Sequence, residues 1–288
     1  MGMTAADSNA IHRLRRVADN AVGRYAVLAA GGVACALLVL PALPFLASDR
    51  GVPGPAVLDA VQPVKAGVAL ALAAGACTAV ACAVGRVINA AVGMFVLGIG
   101  LAVVAGRSGT VLDAAFDADS LRPMAVETLA WAVAAAALSA IVFRASGPLL
   151  DFPARDRKGP FLREVVNPDA LRSLLAGLAT AAVLWFCLAS FTKGQAIGCA
   201  FAGGVIAAFI GRRILGDSQP ILLMAAPVLA VGAAQLWTSF TFKAPLDQAL
   251  AARALPGWSM AMPIDVVAGT FLGVPFGLGW SKPAGQDD

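Results

Sequence analysis

The chain has 288 residues, of which 59% are hydrophobic and only 13% charged, with a mean hydropathy of +0.81. Soluble domains carry roughly 25% charged residues, so this composition excludes a water-soluble globular protein and points to lipid as the solvent. The net charge of +4 would suggest nucleic acid in a soluble chain. Here it is explained by Lys/Arg enrichment of cytoplasmic loops, and no nucleic-acid partner is expected.

A spanning helix needs about 20 apolar residues, which predicts an all-α, polytopic integral membrane bundle of about eight transmembrane helices with short interfacial helices. Residues 8–24 read as a cytoplasmic amphipathic segment within an N-terminal part, 1–24. Ser8 suits an N-cap, and Ile11, Leu14, Ala18 and Val22 recur at helical spacing. Arg13 and Arg16 fall on other faces, which lays this segment on anionic headgroups. The run 25–47 is longer than the 7–15 apolar residues of a signal peptide, and Phe45 is unsuited to a cleavage site before Ala47. A retained anchor is expected.

The next apolar runs are 64–84, 87–106 and 125–143. Between the last two, Thr110 and Asp113 resemble a capping box before a short surface helix. Segment 145–169 mixes Arg155, Arg157, Lys158 and Arg163 with Phe161, Leu162, Val165 and Val166. It predicts a cytoplasmic elbow resting on lipid headgroups. Runs 170–191 and 195–215 follow, joined by a tight Thr192–Gly194 connection, and then 220–239. Segment 243–257, with Pro245, Leu246 and Leu250, reads as an interfacial helix. The final run, 263–280, is interrupted by glycines and Pro275, and 282–288 is a tail. If that last run failed to span, the C-terminus would change sides. Residues 25–281 are thus expected to form one transmembrane domain.

Alternating the loops with the N-terminus inside places fourteen of the 21 Lys and Arg residues on the cytoplasmic side. That bias predicts both termini in the cytoplasm. The Arg-rich, Ala/Gly-rich composition suggests a bacterial cytoplasmic (inner) membrane.

Ionisable residues inside a bilayer are functional candidates. Glu127 and Asp265 fall near the starts of spans, shortly after Pro123 and Pro263. Proline suits the first helical position and a first-turn carboxylate complements the helix dipole, so helix-start duty is the expected role of both. Pairing with Arg107 or Arg122 and a proton or cation site are the alternatives. Asn89 and Gln235 are expected to bond across helices, and Thr270 adds a hydroxyl to the last span. Gly269, Gly273 and Gly277 place small residues on one helix face, where another backbone can approach closely. Asp265 continues that stripe one turn earlier.

The five cysteines all lie inside apolar runs and His12 is the lone histidine. These patterns predict neither a disulfide framework nor a metal site. There is no GxxxxGK[ST] and no HExxH, and the glycines at 93, 98 and 100 sit in a hydrophobic helix rather than a strand–turn–helix unit. No catalytic residue, metal or cofactor is expected. Trp185, Trp237, Trp258 and Trp280 fit an interfacial aromatic belt. The functional expectation is a non-catalytic scaffold, assembly factor or accessory subunit, with the lipid bilayer and other membrane subunits or further copies of itself as partners. The alternative is a small-solute or ion transporter or channel using the proline-bent last two helices.

Overall fold

The computed structural model describes residues 20–117, 121–147, 168–215, 219–242 and 244–281. The headgroup contacts expected of Arg13, Arg16, Arg155, Arg157, Lys158 and Arg163 lie outside these residues, as does the tail.

The protein is an all-helical, membrane-embedded bundle. Among the described residues, seven helices are long and apolar enough to cross a membrane. Helix α1 (Ala21–Val39) starts four residues before the expected span, because the Asn20 side chain accepts from the Gly23 amide at 2.6 Å and caps it there. Pro41 and Pro44 then tighten the chain into a 3-10 segment, Leu40–Leu46. Helices α2 (Pro63–Val87) and α3 (Ala90–Arg107) are separated only by Ile88 and Asn89. The short α4 (Val111–Asp117) opens where expected: the Asp113 carboxylate accepts from the Thr110 amide at 2.7 Å and from its hydroxyl at 3.0 Å.

Helix α5 (Arg122–Ser146) is followed among the described residues by α6 (Pro168–Ala176) and α7 (Leu178–Cys187). This corrects the expectation of one continuous helix over 170–191. The chain tightens at Gly177, whose amide donates to Leu174 three residues back while Thr180 donates to Gly177. The cause is a close approach to a neighbouring helix. A Cβ at position 177 would overlap the Ala226 carbonyl and stand 2.9 Å from the Pro227 nitrogen. The broken pair is counted among the described residues as a shorter apolar segment, Leu171–Cys187, beside the seven longer helices.

Helix α8 (Lys193–Arg213), α9 (Pro220–Thr241), the short α10 (Leu246–Ala251) and α11 (Pro263–Trp280) complete the chain. The final run, the least certain of the expected spans, has the lowest hydropathy of the seven candidates and is also the most buried, so α11 is the central helix. It packs against α8, α3, α9 and α5, and 14 of its 18 residues are buried. Glycine lowers its hydropathy because close packing, rather than lipid, surrounds it. Conversely, α1 is only 28% buried and α2 and α5 are 39% buried, which leaves their apolar side chains for lipid. At one end, α4 and α10 pack Val111, Ala114, Leu246, Ala249 and Leu250 into a small second core. The segment 243–257, expected as an interfacial helix, turns Leu246 and Leu250 toward protein.

Candidate functional site

Helices α8 and α11 run parallel, and their contact repeats every four residues. A Cβ at Gly269 would stand 2.7 Å from the Ile197 carbonyl oxygen, one at Gly273 would overlap the Phe201 carbonyl, and one at Gly277 would stand 2.6 Å from that of Val205. On the facing helix, a Cβ at Gly204 would lie 3.2 Å from the Val274 nitrogen. The glycine face is thus filled by another helix of the same chain.

One turn before this stripe, at the same offset of 72 residues, Lys193 meets Asp265. The Lys193 Nζ lies 2.9 and 3.0 Å from the two carboxylate oxygens. Asp265 is 1% exposed and the Lys193 side chain 16%. The same carboxylate accepts from the Met262 amide at 3.2 Å, and Lys193 also donates to the Ser108 hydroxyl at 3.1 Å. Ser108 in turn donates to the Ala105 carbonyl at 2.9 Å, so the pair ties α8 and α11 to the end of α3. Asp265 does occupy the first turn of its helix, as expected. The sequence did not reveal its counter-ion, because Lys193 reads only as a loop cation and nothing local marks a partner 72 residues away.

Glu127 departs further from expectation. It is not in the first turn of α5, which holds no acid, and it reaches backbone rather than Arg107 or Arg122. Its two oxygens accept from the Val57 and Leu58 amides at 3.0 and 3.1 Å, which fastens the 3-10 turn Val57–Asp59 to α5. The physical reason is that the 47–62 connection folds back onto the bundle and presents unpaired amides there. Arg122 instead lies over the Phe240 ring, 4.9 Å from its centroid.

Gln235 on α9 bonds across helices, as expected. Its amide donates to the Trp258 and Ala261 carbonyls at 3.0 and 2.9 Å, and its oxygen accepts from the Thr128 hydroxyl at 2.6 Å. Trp258 donates its indole N–H to Thr238 at 2.9 Å and meets Trp185 in a tilted ring contact, 4.2 Å between centroids. Asn89 lies outside the helix interiors: it caps α3 by accepting from the Val92 amide at 2.9 Å. Thr270 is fully buried, and its hydroxyl has no hydrogen-bond partner among the described residues.

These groups form a polar band at one end of the bundle. Glu127 adjoins Thr128, which meets Gln235. Gln235 holds Ala261, and Asp265 caps Met262 and pairs with Lys193. Chemically the band offers one buried ion pair and a set of bonds to connecting backbone. Among the described residues, no group of three or more His, Cys, Asp or Glu side chains is arranged to hold a metal. No family model matches the chain, and no match was found among curated proteins or solved structures.

Proposed function

We propose that this chain is a non-catalytic polytopic membrane protein that acts as a scaffold, assembly factor or accessory subunit of a membrane complex. The observation that carries this reading is the use made of the polar side chains in the band. Gln235, Glu127 and Asp265 spend their hydrogen bonds on connecting backbone, on the Thr128 hydroxyl or on one cation, all of the same chain. The interior is thereby fixed, while α1, α2 and α5 turn apolar faces outward. Purification in a gentle detergent, with identification of co-purifying chains, tests it. A stoichiometric membrane partner is expected. A chain that purifies alone and moves an ion or solute across liposomes would overturn the proposal.

Transport is the second reading, favoured by the unpartnered hydroxyl of Thr270 in the central helix, which carries Pro275 in its interior. A flux lost on Asp265→Asn would support it. The proposed location is a bacterial cytoplasmic membrane with both termini in the cytoplasm, resting on the Lys/Arg bias of the sequence. A C-terminal alkaline phosphatase fusion should then be inactive and a C-terminal green fluorescent fusion bright. The reverse pattern contradicts that orientation.

A further inference from the structure

The outward face of the bundle carries a groove of about 540 Å³ between the end of α1 and the first half of α2. Its polar band lies elsewhere; this groove is apolar. Leu38 and Phe45 form one wall, Val68 and Leu72 the other, and Ala69 and Ala73 the floor. The sequence builds it in two ways. Pro41 and Pro44 narrow α1 into a 3-10 segment, and alanine recurs along the facing side of α2. Phe45 is 48% exposed and Leu72 70%, so the walls stand open to the surroundings of the bundle.

Two features select the occupant. From Lys65 to Ala76 the groove follows α2 for eleven helical steps, or roughly 17 Å at 1.5 Å per residue, close to half of the roughly 30 Å hydrocarbon core. A membrane-spanning partner helix would need the full thickness, whereas one lipid leaflet needs half. At the terminal end sits Lys65, exposed and without an acidic partner among the described residues. It lies in the first turn of α2, where no side chain caps the helix amides.

We propose that this groove binds one acyl chain of an anionic glycerophospholipid, with its phosphate on Lys65. The apolar walls take the chain and the lysine selects the charge of the headgroup. Native mass spectrometry of the full chain, loaded with phosphatidylglycerol and phosphatidylcholine of identical acyl chains, tests the site. Wild type should retain phosphatidylglycerol about fivefold more than phosphatidylcholine, the preference expected of one lysine near the headgroup plane. Lys65→Gln should bring the ratio to about one while leaving chain binding intact. Ala69→Leu, which fills the floor, should lower occupancy by both lipids. Millimolar inorganic phosphate should not change the ratio.

Equal retention by wild type, or a preference unaltered in Lys65→Gln, would overturn the proposal. So would displacement by free phosphate, which marks a simple anion site. A photo-crosslinker at Leu72 gives an independent check in native membranes. A lipid adduct supports the assignment, and a protein adduct replaces it with a docking surface.

Discussion

Gln235 is 1% exposed, and an amide in that position is costly unless each of its groups is paired. Both of its N–H groups reach carbonyls and its oxygen receives the Thr128 hydroxyl. Replacement by leucine keeps the volume but strands two carbonyls, while the Thr128 hydroxyl keeps the Met124 carbonyl at 2.9 Å, for a loss of about 1–3 kcal/mol. A lower thermal midpoint in detergent should show it, and an unchanged midpoint would mean that water reaches those carbonyls. Arg253 presents the opposite case. It holds φ at 51°, the left-handed region, where the chain closes α10. Its amide donates to Leu250 and the Ala254 amide to Ala249, the pattern of a Schellman C-cap. Glycine suits that position better, so Arg253→Gly should raise stability by roughly 0.5–1 kcal/mol. A fall in the thermal midpoint would show that the exposed arginine makes a compensating contact.

At the level of elements, the controlling contact is the parallel pair α8 and α11. Small residues let helix backbones approach closely in a membrane, where apolar surface alone gives little drive for association. At Gly273 the Phe201 carbonyl already occupies the space of a side chain. Gly273→Leu must therefore separate the two helices, and loss of a monodisperse folded species on size exclusion is expected. A stable, monodisperse variant would refute the close approach. The stripe of Gly269, Gly273 and Gly277 was legible in the sequence as a contact face, since a four-residue period marks one side of a helix. Its partner was not, because the facing positions Ile197, Phe201 and Val205 contribute carbonyls, and backbone carries no sequence signal. The break at Gly177 was hidden for a similar reason. It follows from pressure by Ala226 and Pro227 of another helix, while the local apolar run is uninterrupted.

For the whole molecule, hydropathy revealed the membrane bundle and the long apolar helices that build it. It misjudged the final helix, because a scale that measures affinity for lipid undervalues a helix surrounded by protein. The long helices and the broken α6–α7 pair deliver the connections that matter to one end, where the polar band fastens them. Within the band, Asp265 was legible as a helix-start acid. Lys193, Ser108 and Thr128 were not, since their roles depend on contacts between distant segments. The ion pair sits at the same 72-residue offset as the glycine contacts and so fixes which turn of α8 meets which turn of α11.

That role separates fastening from transport. Breaking a buried pair by removing one partner strands the other charge, at a cost of about 3 kcal/mol or more, whereas replacing both with apolar residues can be nearly neutral. Asp265 also caps Met262, a contact worth about 1 kcal/mol that any apolar replacement forfeits. The decisive measurement is a double-mutant cycle on Lys193→Met and Asp265→Leu, read as thermal stability in detergent. Each single variant should be markedly destabilised, and the double variant should recover all but the lost cap. Single variants as stable as wild type, with no coupling in the double, would contradict a fastening role and leave the pair free to carry charge.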